Sequence, residues 1–346
     1  MKIKNTISAF DKSRENNFDL IRFIAAVAVV FSHSYPVTGS FNDQEPLYEI
    51  TNGQNTIGGT AVGIFFIISG FLITQSFINS KSLSRYFLSR LLRIFPALAC
   101  MVLCCVFVIG PLFTTYVMKE YFSSGVSYRY LFNILTYTKY STLPGVFASN
   151  AFPGTVNGSL WSLPYEVLFY ISVPALGLFL LKKPLPALAL SSAGLILVFS
   201  GFLVTGYLGY MTNYFLCGSM FYCFRKNVVL NGWLALLSLV LLFLSNYYNF
   251  YNQSFGLLGG YLVLFMAFRM KLRLHHFARY GDFSYGIYIW AFPVQQVLVA
   301  LNPATTPLRN FLVSMPFIFI LAFLSWFMIE KRSLELKARW NKYQAA

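Results

Sequence analysis

The sequence predicts an all-α fold, a polytopic transmembrane helical bundle of about ten spans with both termini cytoplasmic. Of its 346 residues, 57% are hydrophobic and 19% aromatic, and only 11% are charged. No water-soluble domain exposes a surface of that composition, and apolar runs of helical length recur along the whole chain. The basic residues behind the net charge of +15 lie in short clusters between these runs. That distribution is typical of membrane topology, so we expect membrane lipid and no nucleic acid as partners.

The apolar runs define ten candidate spans within a single integral-membrane domain, 1–346. The spans are predicted at 18–35, 58–78, 94–114, 162–181, 186–205, 208–224, 232–247, 254–268, 283–301 and 310–329. The side of the termini then collects 21 of the 26 basic residues and the opposite side 4, with Arg22 at the start of a span. Because cytoplasmic loops carry the excess of Lys and Arg, this split predicts cytoplasmic termini and a multi-pass protein of the inner membrane.

The longest outside connection, about 115–160, is rich in Tyr, Ser, Thr, Asn and Gly. It is either a lid or binding loop or an ordinary amphipathic connector, with a short interfacial helix at 128–140. The five cysteines lie in or beside apolar segments, without metal-ligand spacing. We expect them to be small core residues, and we expect no metal. The chemistry should therefore lie within the bundle.

The first span carries an arginine near one end and a histidine near the other. Arg22 and His33 are eleven residues apart, so they project from one helix face with a rise of roughly 16 Å between them. One interpretation places the chemistry on this face. In the other, Arg22 reaches the headgroups and pairs with Asp19, while His33 caps the opposite interface.

Polar residues in two later spans would be costly to expose to lipid. Glu166 falls in the first turns of the fourth span, where an ionised carboxylate facing hydrocarbon costs about 2.5–3.5 kcal/mol. The predicted topology brings Glu166 to the depth of His33, which favours an acid/base pair over a structural hydrogen bond. Gln295 and Gln296, about three turns into the ninth span, reach the same outer half and are suited to binding sugar hydroxyl groups.

The cytoplasmic loop before the third span ends in two arginines at helical spacing. Arg90 and Arg93 share a helix face, and their guanidinium groups can bind phosphate bidentately. Positive-inside anchoring is the alternative, and spacing alone favours it. A small-residue face at 58–70 indicates close helix packing or a binding surface for an extended ligand, and packing is the commoner meaning. His275 and His276 fall in a basic loop, where a solvated role is favoured.

Five segments together resemble the acyltransferase 3 family of bacterial integral-membrane acyltransferases. In chain order they are FDLIR at 18–22 with His33, GIFFIISGFLI at 63–73, RLLRIFP at 90–96, LWSLPYE at 160–166 and FSYGIY at 283–288. Each segment is weak evidence alone, but five in the right order are specific and cover nearly the whole chain. The resemblance implies an acyl-CoA donor bound from the cytoplasm and acylation of an extracytoplasmic hydroxyl group, usually on a cell-surface polysaccharide.

Two departures from the family pattern affect the expected mechanism. Many members place a histidine directly after the aromatic residue of the ninth-span motif, whereas Ala291 follows Trp290 here. The fused esterase-like domain of larger members is also missing, so we expect this chain to complete transfer alone or with a separate partner.

The resulting hypothesis is a membrane O-acyltransferase, with acetyl-CoA as the expected donor and a polysaccharide or lipid-linked oligosaccharide as the acceptor. His33 would act as general base or acyl carrier, and Glu166 would orient it. The residues expected to bind CoA are Arg22, Arg90 and Arg93, and those expected to contact the acceptor are Trp161, Tyr288, Gln295 and Gln296. The alternative is a transporter or flippase of lipid-linked sugars, although the chain has no internal repeat of the kind that transporters carry.

Overall fold

The computed structural model describes residues 5–10, 16–40, 44–80, 82–176, 206–270 and 277–336. In these ranges the secondary structure is helical, with three isolated bridges and no β-strand. The all-α prediction is therefore confirmed for the described residues. Nine helices longer than ten residues lie there, labelled α1 to α9 in chain order: Phe18–Val37, Ile57–Asn79, Leu83–Cys104, Leu163–Leu176, Tyr207–Cys223, Gly232–Tyr247, Tyr251–Arg269, Ser284–Leu301 and Pro307–Ser325.

Shorter elements connect these helices. The short α-helices are Ile7–Phe10, Pro46–Ile50, Gly110–Phe113, Met118–Ser123 and Gly125–Arg129. The 3₁₀ helices are Tyr130–Leu135, Gly158–Ser162 and Phe277–Tyr280, and the π-helices are Cys105–Ile109 and Trp326–Glu330. Helical structure thus occupies part of the outer connection, including the first half of the predicted 128–140 helix.

Five helices in the described ranges are long and apolar enough to cross a membrane. They are Phe18–Val37, Ile57–Asn79, Leu83–Phe113, Ser284–Leu301 and Pro307–Leu336, and Gly232–Tyr247 is apolar but shorter. A helix is found at nine of the ten predicted spans. The predicted span 186–205, the end of 162–181 and the pair His275 and His276 lie outside the described residues. The count of ten spans and the cytoplasmic position of the termini stay predictions.

α3 begins at Leu83, upstream of the predicted third span at 94–114. Arg90 and Arg93 therefore lie on a helix, as their predicted common helix face requires, and their cytoplasmic position stays a prediction. Hydropathy detects only the apolar run that begins near residue 94, whereas Leu and Arg are strong helix formers that extend the helix in the N-terminal direction. Pro96 lies inside α3, a position where a proline removes one backbone hydrogen bond.

The chain forms two compact units, and the first contains Met1–Ala25, Pro46–Leu83 and Leu168–Tyr280. Its helices α2 and α5 meet at two glycines. A Cβ atom on Gly70 would stand 2.0 Å from the carbonyl oxygen of Phe215, and one on Gly218 would stand 2.0 Å from that of Ile67. Only glycine allows the two backbones to approach this closely. The small-residue face at 58–70 is thus used for helix packing.

The second unit contains Ala26–Glu45, Ser84–Val167 and Gly281–Ala346. α8 lies at its centre, since most of its side chains are buried. Gly286 of α8 allows close packing on α9, because a Cβ atom there would stand 2.9 Å from Cα of Ala322. This unit also carries polar side chains in its interior, and they define the candidate site.

A π-helix, Cys105–Ile109, directly follows α3 in the second unit. The Tyr121 hydroxyl donates to the carbonyl oxygen of Val106 within Cys105–Ile109, at 2.8 Å. Gly110 leaves room for the tyrosine, since a Cβ atom there would stand 1.9 Å from its hydroxyl oxygen. The short helix Met118–Ser123 is therefore fixed to the π-helix by the buried side chain of Tyr121.

Candidate active site

His33 on α1 is the centre of the candidate site. Its Nδ1 lies 3.5 Å from the hydroxyl oxygen of Ser159, and its ring makes an edge contact with Phe292, with ring centroids 5.4 Å apart. The imidazole is partly exposed, whereas Ser159 is fully buried. One polar and one aromatic neighbour thus fix the position of a histidine inside a candidate membrane span.

Ser159 belongs to the 3₁₀ helix Gly158–Ser162, which polar side chains tie to α8. Asn157 caps this short helix, since its Oδ1 accepts a hydrogen bond from the Ser159 N–H at 3.0 Å, while its Nδ2 donates to Ile289 O at 2.8 Å. The Tyr288 hydroxyl donates to Ser159 O at 2.7 Å and lies 2.6 Å from the Ser162 hydroxyl. The backbone of Ser159 is therefore held on both sides.

Gly158 is required by a close approach in the same place. A Cβ atom on Gly158 would stand 2.7 Å from Cε2 of Phe292. Phe292 therefore packs against the backbone of the short helix and against His33 at once. Any side chain at 158 would push this ring toward the histidine, so the glycine contributes to the geometry of the site.

The two glutamines of α8 are fully buried, which agrees with the prediction that they avoid lipid. Gln295 Nε2 donates to Val30 O on α1, at 2.8 Å. Gln296 Nε2 donates to the carbonyl oxygens of Phe152 and Thr155, at 2.8 and 2.7 Å, and the Gln296 side chain accepts from Asn150. These amides bind the protein's own backbone, so a sugar hydroxyl would have to displace existing hydrogen bonds to reach Gln296.

Glu166 lies in the first turn of α4, where the positive end of the helix dipole favours a carboxylate. Its side chain is partly exposed. Ser159 is a hydrogen-bond partner of His33 that the sequence did not indicate, and the pairing of His33 with Glu166 stays a prediction. Trp161 is also partly exposed and makes an edge contact with Tyr165, at 6.0 Å between ring centroids.

Arg22, at the other end of α1, lies in the first unit beside Asp19. The two charged groups are 3.9 Å apart, with the arginine side chain 23% exposed and the carboxylate side chain 50% exposed. The predicted pairing is therefore found. Because the carboxylate is solvated, the pair contributes little to stability.

The two arginines of α3 have different surroundings. Arg93 forms an ion pair with Asp282, which also accepts from the N–H and hydroxyl of Ser284 at the start of α8. Arg90 stacks over the ring of the buried Tyr86, with its guanidinium carbon 5.1 Å from the ring centroid. Arg93 therefore has a carboxylate as its neighbour, and Arg90 has an aromatic ring.

Sequence reasoning missed Ser159, Asn157 and Asp282 as parts of this arrangement. Two of them carry a local signal: Asn157 precedes the Gly-Ser start of a helix, and Asp282 comes two residues before Ser284 at the start of α8. These are capping patterns, and they predict local helix starts. They do not predict a contact with His33 or Arg93 from a distant part of the chain.

Comparison with known proteins identifies the class as a membrane acyltransferase. The acyltransferase domain of the acyltransferase 3 family matches residues 15–330. An O-acetyl transferase of Shigella phage Sf6 is 31% identical over 336 residues, covering 93% of this chain and 96% of that protein. Nodulation protein 10 of Rhizobium leguminosarum bv. viciae is 28% identical over 357 residues, covering 93% of this chain and 94% of that protein. No solved structure matches.

The chain therefore belongs to the acyltransferase 3 family, as the five sequence segments indicated. The two relatives span almost the same length, so the match is not confined to one motif. Neither is named as a transporter, and the comparisons give no support to the flippase alternative.

Proposed function

We propose that this protein transfers an acetyl group from acetyl-CoA to a hydroxyl group of a polysaccharide or lipid-linked oligosaccharide at the inner membrane. The donor class follows the family pattern, and the acetyl group follows the name of the phage relative. The single observation that carries the proposal is His33, a partly exposed imidazole within a candidate membrane span whose Nδ1 contacts Ser159.

In the proposed reaction, His33 acts as general base. The acceptor hydroxyl gives its proton to the imidazole while its oxygen bonds to the acyl carbon of the thioester. The carbon–sulfur bond breaks, and the CoA thiolate takes the proton from the imidazolium. The products are the O-acetyl ester and free CoA. Acyl transfer through His33 itself is the second route, and it differs by an acyl-imidazole intermediate.

The donor phosphates are assigned first to Arg90. Its guanidinium carbon lies 5.1 Å from the centroid of the Tyr86 ring, and a forked guanidinium group is suited to bidentate binding of phosphate. Arg93, in contrast, is paired with Asp282 and would act by holding α3 against α8. Arg22 is the further cation expected to meet the donor, since its pair with Asp19 is weak. Glu166 and Trp161, both partly exposed, stay candidates for orienting His33 and for contacting the acceptor.

The experiment compares purified wild-type protein with His33→Ala, using acetyl-CoA as donor and methyl glycosides of common hexoses as acceptors. Wild type should release CoA and form acetyl glycoside, and His33→Ala should be slower by about a hundredfold or more. His275→Ala, a histidine of the basic loop, is the matched control and should keep full activity. Glu166→Gln should be milder than His33→Ala, since an amide can still accept a hydrogen bond.

Two results would count against the proposal. Substantial turnover in well-folded His33→Ala protein would remove His33 from the chemistry, and a wild-type protein that never consumes acetyl-CoA would remove the donor. A His33 peptide carrying an acetyl group, found by mass spectrometry after a brief reaction, would favour the acyl-carrier route over the general base. Polysaccharide NMR of strains with and without the gene would then identify the acceptor sugar.

A further inference from the structure

A histidine that acts as a base must present one unprotonated ring nitrogen, and the other nitrogen then carries the hydrogen. The contact at the second nitrogen determines which tautomer is favoured. In this protein the contact at Nδ1 of His33 is the hydroxyl oxygen of Ser159, at 3.5 Å. If that oxygen accepts the Nδ1–H hydrogen, the unprotonated nitrogen is Nε2.

We propose that Ser159 is a positioning residue that holds His33 in its Nδ1–H tautomer, so that Nε2 is the nitrogen that accepts the proton of the acceptor hydroxyl. This inference rests on the proposed function for its catalytic meaning. A hydroxyl suits the task, because its oxygen can accept from Nδ1–H both in neutral imidazole and in the imidazolium formed during transfer.

The surroundings of Ser159 keep its hydroxyl in place. The Ser159 N–H donates to Asn157, and its carbonyl oxygen accepts from Tyr288. The side chain is fully buried, so water does not compete for it. On the other side of the imidazole, Phe292 limits rotation of the ring. The histidine is thus oriented by a fixed hydroxyl and a fixed aromatic edge.

Ser34, the residue after His33 on α1, is a buried serine with a different hydrogen-bond partner. Ser34 is as fully buried as Ser159, but its hydroxyl donates to Phe31 O of the same helix, at 2.6 Å. The Ser34 hydroxyl therefore has its hydrogen-bond partner within α1 and does not orient His33. Ser34→Ala is therefore the matched control: it removes a buried serine hydroxyl beside the same histidine, without removing the Nδ1 contact.

The competing role for Ser159 is that of a nucleophile. In that case the hydroxyl would give its proton to Nδ1 and form a covalent acetyl-serine, which requires the opposite tautomer, with hydrogen on Nε2. The two roles are therefore distinguished by which ring nitrogen carries the hydrogen, as well as by whether Ser159 becomes acetylated.

The first test does not depend on activity. The chain contains only three histidines, so nitrogen NMR of protein labelled at the imidazole nitrogens can assign His33 by loss of its signals in His33→Ala. The Nδ1–H tautomer is expected in wild type and in Ser34→Ala, and a mixture of tautomers in Ser159→Ala. A wild-type protein with hydrogen on Nε2 would overturn the proposal, even if acetyl transfer were never observed.

The second test measures transfer from acetyl-CoA to a methyl glycoside. Ser159→Ala should lower kcat about tenfold to a hundredfold, the loss expected for one hydrogen bond to a charged group, with KM for acetyl-CoA unchanged. Ser159→Cys has a side chain of similar size whose sulfur is a weaker hydrogen-bond acceptor, so its kcat should lie between those of wild type and Ser159→Ala. In the His33→Ala background, measured with enzyme in excess, adding Ser159→Ala should cause no further loss of transfer rate.

Three outcomes of the second test contradict the positioning role. The first is a kcat of Ser159→Ala equal to that of Ser34→Ala. The second is the same fold loss of transfer rate from Ser159→Ala with and without His33. The third is formation of an acetylated Ser159 peptide. Failure of wild type to use acetyl-CoA would count against the proposed function alone, since the tautomer measurement still decides the role of Ser159.

Discussion

In the first unit, Gly70 of α2 and Gly218 of α5 let two backbones meet without intervening side chains. In the second unit, α8 is joined to its neighbours by polar side chains: an ion pair at Asp282, a hydroxyl at Tyr288 and amides at Gln295 and Gln296. Close glycine packing gives tight helix contacts but does not orient a particular side chain. Directed hydrogen bonds do, and in the second unit they hold Ser159 beside the candidate active-site histidine.

This comparison separates two kinds of damage. A substitution in the glycine contact should lower stability and leave transfer per folded molecule unchanged. A substitution in the polar contacts of α8 that support His33 should lower both. The following variants test that difference.

The largest loss of stability is expected from breaking the pair of Arg93 and Asp282. Both side chains are largely buried, at 20% and 12% exposed, so Asp282→Asn leaves a buried cation and should cost about 3 kcal/mol of unfolding free energy. The double variant Arg93→Met with Asp282→Asn should recover part of the loss, since no buried charge stays unpaired. Thermal unfolding in detergent measures both.

The pair of Arg22 with the half-exposed Asp19 is the control for this prediction. Asp19→Asn should cost no more than about 0.5 kcal/mol, because the carboxylate is half exposed. If Asp282→Asn cost as little as Asp19→Asn, the pair with Arg93 would not be a structural contact. Arg93 would then return to the CoA-binding role that the hypothesis from the sequence gave it.

A smaller loss is expected in the glycine contact of the first unit. Gly218→Ala places a methyl group 2.0 Å from Ile67 O, and the helices must separate, at a cost of about 2 kcal/mol. Gly232→Ala is the control, because no atom lies within 4 Å of its added methyl group. Transfer per folded molecule should be unchanged in both variants. A Gly218→Ala protein with wild-type stability and slow transfer would contradict the distinction drawn between the two units.

The smallest loss of stability is expected from Tyr288→Phe. It removes the hydroxyl that donates to Ser159 O, at about 1 kcal/mol, and should lower kcat severalfold by loosening Ser159. Tyr285→Phe on the same helix removes a similar bond, to Ile94 O at 3.0 Å, and should cost stability without slowing transfer. A raised KM for the acceptor in Tyr288→Phe, with kcat unchanged, would instead support the predicted sugar contact.

The sequence predicted where the helices lie better than it predicted which residues contact one another. Hydropathy located the apolar helices, and short-range spacing predicted the pair of Asp19 and Arg22 correctly. The contact of Ser159 with His33 joins residues 126 positions apart, and that of Arg93 with Asp282 joins residues 189 positions apart. Residues so far apart in the chain share no helical periodicity, so the sequence pattern does not predict that they contact each other.

The buried glutamines show the same limit in another form. Their polarity inside a predicted span correctly indicated an interior position. Their partners, however, are backbone carbonyl oxygens, which every residue possesses, so the residue types cannot reveal which carbonyl is bound. The start of α3 was missed for a different reason: helix propensity continues where hydropathy ends, and a hydropathy window measures only the second.

The π-helix at Cys105–Ile109 has a consequence for the ancestry of the family. A π-turn contains one residue more than an α-turn, so it can absorb a residue inserted into a regular helix, which would otherwise turn the following segment by about 100°. Burial raises the pKa of Tyr121 to about 12, so its phenol stays a donor to Val106 O at physiological pH. Relatives without the insertion should align with a one-residue gap near this turn, and the same lineages should have lost the tyrosine.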